Sequence, residues 1–200
     1  MTRKKGPPTF NGFYVPQYYA IRTRTADFNI GAAPRSGSTS LYHFANALKQ
    51  NDQAIFLSET PKDAICLIRD PIKRLASAYL LLPDGVNSRD PVTNFKTIGR
   101  PSFEDTIDAV LDDEGQAWFD TQIGDSAHAF AWQPQVELYS ECEFPVWVKL
   151  EGNGGFFGMQ LPHENVSTEP KPEVTYRLDE LKEFYAEDIK TWQMARKKVG

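Results

Sequence analysis

Long apolar runs are missing from this 200-residue chain: no stretch approaches the roughly 18 residues that a membrane-spanning helix needs. Cysteine is nearly absent too, with only Cys66 inside an apolar run and Cys142 between Glu141 and Glu143. No CxxC spacing occurs, so neither a zinc or redox site of that kind nor a disulfide framework is expected. Positive charge is not in excess either. The 22 lysines and arginines are outnumbered by 27 aspartates and glutamates, giving a formal net charge of -5. Nucleic acid and membrane surfaces select a basic face, so neither is an expected partner and any anion binding must be local. Arg3, Lys4 and Lys5 are followed by Pro7, Pro8, Thr9, Phe10 and Asn11 where a secretory signal carries its apolar region. A cytoplasmic location is therefore expected. Without a secretory route, the sequon match Asn165-Val166-Ser167 reads as accidental or structural.

With 40% hydrophobic and 24% charged residues, the chain can bury one core, and a single α/β domain over residues 27–200 is expected. Residues 1–26, rich in Pro, Gly and Tyr, read as an extended N-terminal arm. Residues 27–32 (DFNIGA) form a short apolar run that ends in small residues. A Pro-Arg-Ser-Gly loop follows, and then Leu41, Phe44, Ala45 and Leu48 at helical spacing, so this segment reads as strand, tight loop, helix. Further strands are expected at 54–57, 64–68 and 145–150. Asp70 with Pro71 is a strong helix start, Ser102 to Asp105 resembles a capped one, and residues 178–199 read as one amphipathic closing helix. Residues 83–101 read as a long surface loop. The alternation of strands and helices indicates a central parallel sheet flanked by helices.

The loop Pro34-Arg35-Ser36-Gly37-Ser38-Thr39-Ser40 has the chemistry of an anion cradle. A helix start offers free backbone N–H groups and the positive end of the helix dipole. Gly37 permits close backbone approach, Ser36, Ser38, Thr39 and Ser40 add hydroxyls, and Arg35 adds a forked permanent charge. A plain polar turn with Ser38 or Thr39 capping the helix is the bland alternative. The triphosphate motif G-x-x-x-x-G-K-[ST] is absent, since no lysine follows Gly37 and Gly31 lies one residue too far upstream. Nucleoside triphosphates need that lysine and a magnesium ion, so a triphosphate loop is not expected here.

Arg69 closes the third strand, and Ser77 lies two turns into the following helix on roughly the face of Asp70, so both can converge on one anion at the carboxyl edge of the sheet. Arg74, four residues after Asp70, reads first as its ion-pair partner on the helix surface.

On these two motifs, in this order, the chain resembles the sulfotransferases that use 3′-phosphoadenosine-5′-phosphosulfate (PAPS). Pro34 to Ser40 is similar to their 5′-phosphosulfate loop. Arg69-Asp70-Pro71-Ile72-Lys73-Arg74-Leu75-Ala76-Ser77-Ala78-Tyr79 is similar to their 3′-phosphate motif, R-D-P-x-x-R-x-x-S-x-Y. Weaker echoes resemble the carbohydrate-modifying, Golgi-type branch: His128 with Trp132-Gln133-Pro134-Gln135, Val148-Lys149-Leu150-Glu151, His163 to Ser167, and Tyr185-x-x-Asp188. The resemblance spans Phe28 to Trp192. It implies a P-loop-like three-layer sandwich and sulfuryl transfer from PAPS to a hydroxyl, with 3′,5′-bisphosphoadenosine (PAP) as product and no metal. The chain departs from the branch in being short and lacking its membrane anchor, and it carries no R-K-G-x-x-G segment of the cytosolic branch. Arg196-Lys197-Lys198 reads instead as a helix end with favourable dipole charge.

The resemblance gives Arg35, the Ser38 and Thr39 hydroxyls and the loop amides the task of stabilising charge on the bridging oxygen, and gives Arg69 and Ser77 the 3′-phosphate. A hydroxyl acceptor also calls for a general base. Glu59, after the second strand, is the first candidate and His128 the second; His43 reads as a residue that merely sits on the first helix. Glu59 reads equally as a solvated carboxylate or the partner of Lys62, and Lys62 is an alternative leaving-group stabiliser. The acceptor class stays open among carbohydrate, lipid, peptide tyrosine and small alcohol. Two rival readings are a phosphotransferase that shares the fold and a nucleotide-binding module without chemistry.

Overall fold

The computed structural model describes residues 9–10, 13–14, 16–80, 102–112, 131–151, 155–157, 159–161 and 170–199. Two short strands, β1 (Thr9–Phe10) and β2 (Phe13–Tyr14), pair antiparallel. The main sheet is built from β3 (Gln17–Arg22), β4 (Asp27–Ala32), β5 (Ala54–Leu57), β6 (Asp63–Ile68) and β7 (Phe144–Lys149). Helix α1 (Ser38–Lys49) follows β4, and α2 (Pro71–Tyr79) follows β6. Helix α3 (Phe103–Leu111) carries the capping box formed by Ser102 and Asp105. The short α4 (Gln135–Leu138) precedes β7. A small sheet joins β8 (Gly155–Phe156), β9 (Met159–Gln160) and β10 (Lys198–Val199). Helices α5 (Leu178–Phe184) and α6 (Ala186–Met194) complete the set. The expected loop at 83–101 and the segment from His163 to Ser167 lie outside the described residues.

The sheet is mixed and open, not the parallel sheet of a P-loop-like three-layer sandwich. Its order is β5-β3-β4-β6-β7. Strands β4, β6 and β7 are parallel, but β3 runs antiparallel to both β4 and β5 and separates them. The segment read as an extended arm supplies that strand. Tyr18, Tyr19 and Ile21 are side chains that favour strands, and they are 1%, 6% and 0% exposed. The return at residues 23–26 has no glycine. Instead, Thr23 donates through Oγ1 to the Ala26 carbonyl at 2.8 Å and accepts from the Ala26 N–H at 2.9 Å. A strand joined to its neighbour by so short a turn must run antiparallel to it, which rules out an all-parallel sheet.

Burial on both faces explains why β3 and β4 show no clean alternation. One face carries Tyr19, Ile21, Ile30, Ala32, Ile65, Leu67 and Val148 against Leu41 and Ala45 of α1. The opposite face packs Tyr18, Ala64 and Cys66 against Leu138, Tyr139 and Cys142. Gly31 belongs to that packing, since a Cβ there would come within 2.5 Å of the Tyr18 ring. A third cluster, with Leu75, Phe103, Ile107, Val110, Trp132, Leu181 and Tyr185, joins α2, α3 and α5.

The closing segment is two helices rather than one. Tyr185, at φ -96 and ψ 20, leaves helical geometry between α5 and α6, and its buried hydroxyl donates to the Trp132 carbonyl at 2.6 Å. Beyond α6 the chain is extended, not a helix end: Arg196 N–H donates to the Trp147 carbonyl at 3.0 Å, and Lys149 N–H donates to the Arg196 carbonyl at 2.8 Å.

Candidate functional site

Strand β4 ends at Ala32, and the chain turns through residues 33–37 into α1, with Ser36 N–H donating to the Ala33 carbonyl at 3.0 Å. Two residues of this turn have left-handed backbone, Arg35 at φ 62 and Gly37 at φ 90. Gly37 is required twice over, because a Cβ would also approach Leu150 Cδ1 to 2.9 Å. The first intrahelical bond is Leu41 N–H to the Gly37 carbonyl, 2.8 Å. The amides of Ser38, Thr39 and Ser40 therefore precede the helical ladder. No side chain caps α1, and its first turn holds no acidic residue to offset the dipole.

Strand β6 lies beside β4 and ends at Ile68, which brings Arg69 next to the loop. Arg69 Nη1 donates to the Arg35 carbonyl at 3.2 Å, and Arg35 Nη2 donates to Ser77 Oγ at 2.9 Å. Asp70 caps α2 by accepting from the N–H groups of Ile72 and Lys73 at 3.0 and 3.2 Å, and the helix then carries Ser77, 3% exposed, up to Arg35. Arg35, Gly37, Arg69 and Ser77 thus share one corner of the sheet.

Arg74 departs from its expected place on the helix surface. It is 1% exposed and lies beneath the loop, donating through Nε to the Pro34 carbonyl at 3.0 Å and through Nη1 to the Gln133 carbonyl at 2.6 Å. Three guanidinium groups are therefore gathered around one turn. Burial lowers the pKa of Arg35, and the charges of Arg69 and Arg74 push it the same way. Burial also lowers that of Arg69, with Glu151 and Asp70 opposing. The Nε of Arg35 is buried and meets no hydrogen-bond partner among the described residues. Lys171, on the chain ahead of α5, belongs to the same field: burial lowers its pKa, as do Arg69 and Arg35.

Ser36 has a different task from the one expected. It is fully buried, and its hydroxyl donates to Gln135 Oε1 rather than facing the space above the loop. Gln135 Oε1 also accepts from Arg69 N–H at 3.0 Å, and its Nε2 donates to the Arg69 carbonyl at 2.8 Å. Asp188 accepts from the N–H groups of Gln135 and Val136 at 2.7 and 2.8 Å. Four residues beyond Gln135, the Tyr139 hydroxyl accepts from Ala33 N–H at 2.8 Å and lies 2.9 Å from the Leu67 carbonyl. Glu151 accepts from Asp70 N–H and from Trp192 Nε1, each at 3.0 Å, and stands 3.7 Å from Arg69 Nε.

Glu59 follows β5, which ends at the same edge as β4, but it makes no hydrogen bond or ion pair with this corner among the described residues. Strand β5 is the outer strand, two strand spacings or about 10 Å from β4. After Leu57 the chain turns back across the Tyr18 and Cys66 face, so that Thr60 Oγ1 donates to Glu141 Oε2 at 3.2 Å. Glu59 is exposed on that path. Lys62 pairs with Glu143 at 3.4 Å at the start of β6, roughly 20 Å along the strand from Arg69. It therefore serves neither as partner of Glu59 nor as leaving-group stabiliser. His43 is exposed on α1 against Tyr42, and His128 lies outside the described residues.

Sequence reasoning missed Lys171 and the supporting roles of Gln135, Tyr139, Glu151, Asp188 and Trp192. Gln135, Glu151 and Asp188 all fall within the weaker echoes and carried that signal, while Lys171 sits in a stretch with no motif. Among the described residues no helix is long and apolar enough to cross a membrane. No family model matches the chain, and no curated protein or solved structure matches it either.

Proposed function

We propose that this chain transfers the sulfuryl group of PAPS to an acceptor hydroxyl, with the donor held between the Pro34–Ser40 turn and Arg69. One observation carries the reading: Arg35, Arg69 and Ser77, taken from two separate motifs, meet at the adjacent carboxyl ends of β4 and β6. The donor set fits a nucleotide with two anionic groups. Arg35 pairs with no carboxylate among the described residues, and its Nε is buried without a partner, so the corner carries positive charge that an anion would neutralise. PAPS supplies an activated sulfuryl group on a phosphate leaving group. Arg35 and the amides of Ser38 and Thr39 would offset charge growing on that leaving phosphate, and removing one such preorganised donor costs about a hundredfold in rate or more. Arg69 and Ser77 would bind the 3′-phosphate. Ser36 would hold the turn in shape instead of touching the nucleotide.

The absent loop lysine disfavours a triphosphate-dependent phosphotransferase. A binding module without chemistry is favoured by one observation, the exposure of Glu59 after the outer strand, about 10 Å from β4, which moves His128 ahead of it as candidate base.

Titration calorimetry in chelator with PAP tests the reading, with Arg35→Ala and Arg69→Ala each expected to weaken binding at least tenfold. Absence of wild-type binding at high micromolar PAP would sink it. Release of PAP from PAPS on adding a host extract, abolished by His128→Ala with PAP affinity retained, separates an enzyme from a binding module.

A further inference from the structure

We infer that α6 sets the position of Arg69 through two separate relays, which makes Asp188 and Trp192 positioning residues for the anion site although neither touches Arg69. The two lie four residues apart and so share a face of α6. The first relay fixes the main chain. Asp188 Oδ2 accepts from Gln135 N–H at 2.7 Å and from Gln135 Nε2 at 3.3 Å, which orients the side-chain amide. That amide then accepts from Arg69 N–H at 3.0 Å and donates to the Arg69 carbonyl at 2.8 Å. Both peptide groups flanking the Arg69 Cα are thereby held.

The second relay fixes the side chain. Trp192 Nε1 donates to Glu151 Oε2 at 3.0 Å, which turns the other carboxylate oxygen toward β6. Glu151 Oε1 accepts from Asp70 N–H at 3.0 Å and faces Arg69 Nε at 3.7 Å. With Nη1 donating to the Arg35 carbonyl at 3.2 Å, the guanidinium is held on two sides and Nη2 has no partner among the described residues. A long arginine left to itself loses rotamer entropy when it binds an anion; here the docking of α6 has already supplied that order. Core packing alone does not require two hydrogen-bonded routes from one helix face to the same arginine.

The inference rests on the proposed reading only in taking the anion at Arg69 as the 3′-phosphate. Trp192→Phe removes the indole N–H and keeps an aromatic ring under Lys149, whose Nζ lies 4.8 Å above the ring centre. Asp188→Asn keeps the size and removes the charge. In Trp192→Phe, affinity for PAP is expected to fall about tenfold while that for adenosine 5′-monophosphate, which lacks the 3′-phosphate, changes less than about twofold. Hydrogen exchange of the ligand-free protein, read amide by amide by NMR, should quicken at Asp70 in Trp192→Phe and at Arg69 in Asp188→Asn, with α3 unchanged. Unaltered exchange at both amides overturns the relays whatever the ligands do. In a wild type that binds both nucleotides, an unaltered affinity ratio overturns their link to anion binding. If the wild type binds neither nucleotide, the sulfotransferase reading fails, and the two amides still decide whether α6 holds Arg69.

Discussion

Arg35 Nη2 lies 2.9 Å from Ser77 Oγ, so a residue of the turn after β4 and a residue of the helix after β6 are joined across 42 positions of sequence. The bond ties the Pro34–Ser40 turn and the segment from Arg69 to Tyr79 into one corner. Arg35 makes it from a backbone at φ 62, a region that costs a residue with a Cβ about 1–2 kcal/mol.

Replacing Arg35 by glycine therefore separates stability from binding. Arg35→Gly relieves the backbone and removes one of three clustered guanidinium groups, at the loss of a single partly buried hydrogen bond. Thermal melts should show Tm raised by about 2–4 °C, as expected for roughly 1 kcal/mol in a chain of this length. PAP affinity should fall at least tenfold in the same protein. A lower Tm would show that the bond to Ser77 outweighs the strain.

Gly37→Ala moves stability the other way. The new methyl meets both an unfavourable φ of 90 and Leu150 Cδ1 at 2.9 Å, for a loss of about 1–3 kcal/mol. Because Leu150→Ala clears only the second obstacle, the double variant should remain less stable than Leu150→Ala alone in urea melts.

Tyr139→Phe deletes one oxygen from the base of the turn. The Ala33 N–H, which donates to that oxygen at 2.8 Å, is left buried without a partner. A cost of about 1–3 kcal/mol follows from such an orphaned donor. Circular dichroism should report a lower urea midpoint with an unchanged spectrum.

Alkaline pH should destabilise the fold from pH 10 upward. Burial raises the phenol pKa of Tyr18, Tyr139 and Tyr185 well above the ordinary value of 10, and that of Tyr19 to about 12. Below pH 10 these phenols are protonated in both states and their contribution is fully present. Above it the unfolded chain loses protons that the folded chain keeps, and stability drops by about 1.4 kcal/mol per pH unit per tyrosine. For Tyr19 the contribution is lost by about pH 12, where the folded phenol also ionises. Urea melts between pH 9 and 11 should show a shallower fall in Tyr19→Phe than in the wild type.

The corner of Arg35, Arg69 and Ser77 was legible because its signals are local. Asp70-Pro71 states a helix start in two residues, and Gly37 among serines states a tight turn, so the elements that position Arg35, Arg69 and Ser77 could be read directly. What decided the sheet was not local. Tyr18, Tyr19 and Ile21 read as an aromatic arm because a strand buried on both faces shows no alternation, and the turn at Thr23 is closed by a threonine hydroxyl rather than by glycine. Arg74 was misread for a similar reason: spacing four residues from Asp70 suggested a surface pair, whereas the carbonyls that receive it belong to Pro34 and Gln133, distant in sequence. Glu59 was placed at the sheet edge of both motifs because it follows the second strand; β5 does end at that edge, but the inserted β3 sets it one strand further from β4.

The inserted hairpin also has a kinetic consequence. Pairing β3 with β4 closes only residues 23–26, whereas pairing β4 with β6 closes about 30 residues at an extra entropic cost of roughly 2 kcal/mol. The nucleus of this sheet should therefore be the hairpin, with β5 and β6 condensing onto its two sides and β7 arriving late. Destabilising substitutions at Ile21 or Ile30 would then slow refolding, while those at Val148 would mainly quicken unfolding.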